Sequence, residues 1–150
     1  MKESMGFFGL GVHNPKFAEN VGSLWRTADL LGCDFFFTIG NRYAPQSSDT
    51  RKSWKRIPLF EFPTLDAAFE AMPRETLLVG VELSPDATPL ERFRHPERAC
   101  YLLGAEDNGL PPKIIARCHH VVVLPGEQSM NLACAGSILV YDRVTRGGNA

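Results

Sequence analysis

Apolar residues in this chain gather in short runs at 7–12, 34–40, 57–62, 77–83, 99–103 and 120–124, the first of them apolar throughout. The runs predict strands, and the first, lacking any polar alternation, predicts one buried on both faces, as in a parallel sheet covered by helices. A different period occupies residues 20–31, where Val21, Leu24, Ala28 and Leu31 recur at helical spacing. Asn20 is the expected N-cap of that helix and Gly32 its C-terminal stop. Residues 64–72 predict a short helix opened by Thr64 and closed by Pro73, and Pro111-Pro112 opens another that ends near Cys118. Residues 84–89 form a turn-rich crossover, and 90–93 allow at most one helical turn. Strands alternating with helices at these lengths give an α/β domain with a mainly parallel sheet flanked by helices.

The last predicted helix begins near Ser129 or Met130 and runs to about Arg143. Its opening is crowded with small residues, Ala133, Cys134, Ala135, Gly136 and Ser137, so it must lie close to whatever it packs against. Farther on, Ile138, Leu139, Val140 and Tyr141 are apolar nearly all round. That pattern suits a helix buried between the domain and a partner subunit, or a central core helix in a monomer. Gly80 stands inside the fourth predicted strand, where a glycine marks close approach of another backbone or a ligand.

At 150 residues and 44% hydrophobic, the chain can bury one core and is expected to be a single domain, 1–150. The apolar run at 6–12 is too short to span a bilayer, and Glu3 with His13-Asn14-Pro15 is wrong for a signal peptide, so a cytoplasmic protein without membrane association is expected. Cys33, Cys100, Cys118 and Cys134 show no C-x-x-C spacing. They are expected to be reduced, mostly buried thiols rather than zinc ligands or disulfides. Cys118-His119-His120 sits at a helix-to-strand junction without a further ligand at metal-site spacing, so it is expected to be structural and no metal is expected. His13 has no neighbours that complete a catalytic triad.

The formal net charge is −1, so a polyanionic partner must be held by a local basic patch. Residues 41–56 supply one: Arg42, Arg51, Lys52, Lys55 and Arg56 stand against only Asp49, with Tyr43 and Trp54 among them. Cations for phosphates and aromatic faces for unpaired bases are the combination that single-stranded RNA recognition uses. A solvated basic loop with Trp54 packed on the domain fits the same residues.

Two further segments run from a strand into a loop of glycine, proline and small polar residues, leaving backbone groups free for a ligand. They are Leu103-Gly104-Ala105-Glu106-Asp107-Asn108-Gly109-Leu110-Pro111 and Leu124-Pro125-Gly126-Glu127-Gln128-Ser129-Met130-Asn131-Leu132-Ala133. Gly104 to Gly109 has the first spacing of a phosphate-binding loop but lacks the Lys and Ser/Thr that should follow, and no Gly-x-Gly-x-x-Gly follows a strand. A nucleotide-binding oxidoreductase of this fold class therefore lacks its fingerprint. On the first helix Gly22 and Arg26 lie one turn apart, which either opens space beside the guanidinium or leaves an ordinary exposed arginine.

Asn20-x-Gly22-x-x-x-Arg26, Gly104-x-Glu106-x-x-Gly109-Leu110-Pro111, and Leu124-Pro125 followed by Ser129-Met130-Asn131-Leu132 occur in that order within residues 12–143. Together they resemble the three motifs of the SpoU (TrmH-like) branch of the SPOUT RNA methyltransferases. The resemblance implies a C-terminal segment threaded into a deep trefoil knot, an arrangement that general topology rules disfavour. It further implies S-adenosylmethionine as cofactor and an RNA ribose 2′-hydroxyl as methyl acceptor, with tRNA slightly favoured over rRNA, and a homodimer without a separate RNA-binding domain. Carried onto this sequence, the catalytic residues are Arg26, Asn20, Glu106 and Asn131. Gly80, Gly104, Gly109, Leu124, Ser129, Met130 and Leu132 would bind the cofactor, and Arg42, Arg51, Lys52, Trp54, Lys55 and Arg56 the RNA. Two departures stand out: the loop 14–19 is longer than the common spacing, and Ala133 replaces a frequent serine. The competing reading is a non-catalytic cofactor- and RNA-binding module of the same fold.

Overall fold

A computed structural model describes residues 6–41, 56–126 and 130–147. The apolar runs form strands β1 (Phe7–His13), β2 (Phe35–Ile39), β3 (Leu59–Phe62), β4 (Leu77–Val81), β5 (Thr88–Pro89), β6 (Arg98–Leu103) and β7 (His120–Val123). They make one 7-stranded sheet in the order β3-β2-β1-β6-β4-β7-β5, with every ladder parallel. The two-residue β5 lies in the stretch expected to be only a turn-rich crossover. It exists because Thr88 and Pro89 lie along the outer edge of β7, an edge position that tolerates the proline's missing N–H.

Helices α1 (Ala18–Leu31), α2 (Leu65–Ala71), α3 (Pro112–Ile115) and α4 (Leu132–Arg146) divide between the two faces of the sheet. Phe8, Leu10 and Val12 of β1 and Tyr101 and Leu103 of β6 point to one side, against Leu24 and Ala28 of α1 and Leu139 and Val140 of α4. Phe35 and Phe37 of β2 and Leu102 of β6 point to the other, against Leu65 and Ala68 of α2 and Ile114 of α3. Burying each large side chain on both faces removes enough apolar area to contribute about 1.5–3 kcal/mol apiece. That two-sided burial explains why β1 reads as a continuous apolar run, whereas β3 at the sheet edge is only partly buried and carries Glu61.

Helix boundaries show where local signals held and where they did not. Gly32 ends α1 in the left-handed conformation at φ 86°, and Thr64 caps α2 by accepting from the Ala67 amide at 3.1 Å. Asn20, however, is not the N-cap of α1. The chain turns helical at Ala18 with Phe17 in the cap position, which frees the Asn20 side chain for a tertiary partner. Helix α4 begins after Asn131, later than expected, because the Asn131 carboxamide oxygen accepts from the Ala133 and Cys134 amides at 2.9 and 3.2 Å. Helix α3 is only one turn, ending before Cys118.

The small residues of α4 are explained by α1. A Cβ on Gly136 would stand 2.2 Å from Leu24 Cδ2, and Thr27 and Ser137 share a hydrogen bond at 3.2 Å across the same contact. At the other end of α4, Arg143 is completely buried. Its guanidinium lies 4.3 Å from the centre of the Phe8 ring and donates to the Pro96 and Glu97 carbonyls and to the Tyr101 hydroxyl at 2.6, 3.0 and 2.9 Å. Tyr101 accepts that bond and can pass its own proton toward His95 Nδ1, 2.6 Å away, while His95 Nε2 lies 2.7 Å from Asp142. Burial holds the His95 pKa below its ordinary value and outweighs the opposing pull of Asp142.

Cys33 and Cys100 are buried, Cys118 is half-buried and Cys134 is exposed, so the expectation of mostly buried thiols fails at α4. Burial pushes the Cys100 thiol up to about 12. Among the described residues no helix is long and apolar enough to cross a membrane.

Candidate cofactor pocket and active site

In an open parallel sheet ligands bind beyond the carboxyl ends of the strands, and this sheet has a cavity of about 550 Å³ there. Val81, Leu103 and Val123, the last residues of β4, β6 and β7, form its floor. The two glycine-rich loops meet above them. Of the residues expected to bind a cofactor, Gly104, Gly109, Leu124, Met130 and Leu132 line the cavity; so do Asn20, Glu106 and Asn131 from the expected catalytic set.

The first loop turns back on itself between Ala105 and Gly109, where the Gly109 amide donates to the Ala105 carbonyl at 3.0 Å. Gly109 has φ 64°, a conformation that favours glycine, and a Cβ there would also strike the Glu82 carboxylate at 2.2 Å. Gly104 is needed by the turn itself, because a Cβ on it would lie 2.1 Å from the Gly109 carbonyl carbon. The glycines thus serve first to close the loop and thereby to shape the cavity wall.

Two carboxylates pin this turn from opposite sides. Glu82 accepts from the Leu110 amide at 2.7 Å and from the Leu83 amide at 2.9 Å. Glu106 reaches the first turn of α1 and the loop before it, accepting from Asn20 Nδ2 at 3.3 Å and from the Lys16 amide at 3.1 Å. Lys16 also pairs with Asp107, and its ammonium holds the Asp107 carboxyl below the usual range. The lengthened 14–19 loop therefore fastens the first motif to the second.

Arg26 is placed differently from the rest of the expected catalytic set. It is exposed on α1 and does not line the cavity, whereas Gly22, one turn before it, is buried. Gly80 is also outside the cavity. Its Cβ position faces Cys118 Sγ at 2.8 Å and Leu110 Cδ1 at 3.2 Å, so the missing side chain lets the segment after α3 and the first loop pack on β4. Ser129 lies outside the described residues, as do Arg42, Arg51, Lys52, Trp54 and Lys55. Arg56 is described, is exposed, and lies 3.8 Å from Asp29 of α1.

Among the described residues no group of His, Cys, Asp and Glu could hold a metal ion. His119 has a structural task, accepting from the Leu78 amide at 2.8 Å, and His120 packs edge-on against Phe93. Burial lowers the His13 pKa, with nearby Lys113 adding to the effect.

A family model described as "SpoU rRNA Methylase family" matches residues 8–141. The chain belongs to that family. Among curated proteins it is 24% identical over 134 residues to the mouse tRNA (guanosine(18)-2′-O)-methyltransferase TARBP1, a match covering 82% of this chain and 8% of that protein. Among solved structures it matches the SpoU methyltransferase AviRb of Streptomyces viridochromogenes in complex with S-adenosylmethionine. That match has a TM-score of 0.83 at 24% identity and covers 95% of this chain and 58% of the other. A structure described by the 2-OH methylation of C/U34 on tRNA matches at 25% identity with a TM-score of 0.80, covering 92% of this chain and 94% of that one.

Family membership makes sense of the site. All three sequence motifs reach the same end of the sheet, but they contribute unequally: the second and third build the cavity, and the first sends Asn20 into it while keeping Arg26 outside. Sequence reading missed Glu82, Lys16 and Phe17. Phe17 is 59% exposed yet lines the cavity mouth. Glu82 was hidden because the predicted strand ran on to Leu83; placing the strand end at Val81 would have put a carboxylate on the binding edge of the sheet.

Proposed function

We propose that this chain transfers the methyl group of S-adenosylmethionine to a ribose 2′-hydroxyl of RNA, with tRNA favoured over rRNA. The observation that carries this reading is the convergence of Asn20, Glu106 and Asn131 on one cavity at the carboxyl edge of the sheet. The residues fit the cofactor. Leu103, Leu124, Met130 and Leu132 give apolar walls for an adenine, and the Gly104–Gly109 turn leaves backbone groups at close range. Bound there, the cofactor supplies an already activated methyl group, so no metal is needed.

The protein's task is to present the acceptor oxygen. Glu106 holds Asn20 at the cavity rim, and the Asn131 Nδ2 donates to no partner among the described residues, since only its oxygen caps α4. These two carboxamides orient the ribose. Arg26, exposed on the same helix as Asn20 and about 9 Å farther along its axis, anchors the neighbouring phosphate and stabilises charge developing on the hydroxyl oxygen. The high pKa of a guanidinium makes these electrostatic roles easier than proton abstraction. Arg42, Arg51, Lys52, Trp54, Lys55 and Arg56 supply RNA grip.

Two structural features complete the reading. The C-terminal segment leading into α4 forms the trefoil knot, a proposal supported by the family and by β6 lying between β1 and β4. A homodimer covers the apolar side chains left exposed on α1 and α4, namely Leu30, Ile138 and Tyr141. The test is transfer of labelled methyl from S-adenosylmethionine to RNA lacking the modification, followed by nuclease digestion. Label on ribose is expected, with size separation naming the RNA; label on a base, or cofactor binding without transfer to tRNA or rRNA, would overturn the reading.

A further inference from the structure

Glu82 follows β4 directly and lines the cavity half-buried, with each carboxylate oxygen held by one backbone amide, Leu83 at 2.9 Å and Leu110 at 2.7 Å. No cationic side chain among the described residues pairs with it. The other ionisable side chains among the described lining residues are Glu106 and Asp107, and both are engaged with the 14–20 segment, Asp107 directly with the Lys16 ammonium. Glu82 and Glu106 are thus both held by neutral groups, with no cation among the described residues paired to either, but Glu106 is tied to the 14–20 segment whereas Glu82 is held by the amides of Leu83 and Leu110. Carboxylate oxygens accept more than one hydrogen bond, so the clamp does not exhaust them. A charge held this way acts on whatever occupies a partly enclosed cavity more strongly than it would in water.

We propose that Glu82 makes this cavity prefer the positively charged methyl donor to the neutral product left after transfer. The inference rests on the cofactor reading above. S-adenosylmethionine and S-adenosylhomocysteine share the adenosine, the ammonium and the carboxylate. They differ in the methyl group and the sulfonium charge it confers. An interaction of Glu82 with any shared part shifts both affinities by the same factor; only an interaction with the sulfonium separates them. The functional consequence is that loss of the methyl group also removes an attraction, which speeds product release and makes exchange for fresh donor favourable. The Leu110 clamp fits this role, because it fixes the carboxylate in place before any ligand arrives and so costs no reorganisation on binding.

The experiment is calorimetric titration of three ligands into wild type and Glu82→Gln: S-adenosylmethionine, S-adenosylhomocysteine, and sinefungin, whose amine places a positive charge near the sulfonium position. Glutamine keeps the size of the side chain and an oxygen for the Leu110 amide. Wild type is expected to bind the donor more tightly than the product. Glu82→Gln should weaken the donor and sinefungin by roughly tenfold and the product by less than about twofold. Glu82→Ala, which also loses the clamp, should weaken all three. Equal weakening of all three ligands by Glu82→Gln would make Glu82 a loop clamp only and overturn the proposal, as would no change in any. If Glu82→Gln fails to fold, the wild-type ratio decides: tighter binding of product than donor overturns it. Wild type that binds none of the ligands contradicts the cofactor reading itself, an outcome distinct from an equal shift.

Discussion

At its N-terminal end α4 meets an open cavity with Asn131, whose oxygen accepts from two helix amides and whose amide group donates to no partner among the described residues. At its C-terminal end the same helix carries Arg143, completely buried, whose two terminal nitrogens donate to two carbonyls and a tyrosine hydroxyl. Both ends are polar, yet one has bonding capacity to spare and the other has directed its capacity inward. Burial is the difference. A polar group withdrawn from water must be paired within the protein, whereas one at a cavity rim can leave the second partner to a substrate. The C-terminal end thus acts as the anchor that allows the N-terminal end to be open.

Breaking the anchor should have the largest effect. Arg143→Met removes the donors to Pro96, Glu97 and Tyr101 and the contact with the Phe8 ring. A loss of about 3 kcal/mol in denaturant unfolding is expected, with cofactor affinity of the folded fraction unchanged. A loss below ~1 kcal/mol would mean that the two ends do not differ in this way. Asn131→Ala at the other end should cost about 1 kcal/mol through the lost cap, and should also slow methyl transfer; stability loss without a rate effect would make Asn131 a cap alone.

The smallest effect is a pH slope. Neutral His95 accepts at Nδ1 from Tyr101 and donates at Nε2 to Asp142, an arrangement that protonation breaks. Because the folded-state pKa is lowered, chiefly by burial, the unfolded chain takes up the proton first as pH falls. Stability from His95 is therefore complete above the ordinary value of about 6.5 and declines as pH drops below it. Asp142, whose pKa is lowered by Arg146 and His95 despite its burial, loses its contribution only at more acid pH. Melting temperatures from pH 7.5 to 5.5 should fall for wild type and less steeply for His95→Gln; parallel slopes would remove His95 from the anchor.

The open end was far more legible in the sequence than the closed one. Gly104, Glu106, Gly109, Asn131 and Leu132 form compact motifs in which spacing alone carries information, and strands buried on both faces announced the sheet. The anchor has no such signature. His95, Tyr101, Asp142 and Arg143 are brought together from β6, the segment before it and the last turns of α4, and Arg143 stood in the sequence only as the approximate end of the last helix. Asn20 misled because an asparagine before a helical pattern is a good cap by propensity, whereas tertiary contact with Glu106 draws it elsewhere. Glu82 was obscured by two residues of uncertainty in a strand end.

The most direct test of the functional account is single-turnover methyl transfer to RNA by wild type and Arg26→Ala at saturating S-adenosylmethionine. Arg26 is exposed and outside the cavity, so its loss should leave melting temperature and cofactor affinity unchanged while slowing transfer by about 10²-fold or more. Transfer by Arg26→Ala at the wild-type rate would contradict the assignment of charge stabilisation to the first motif.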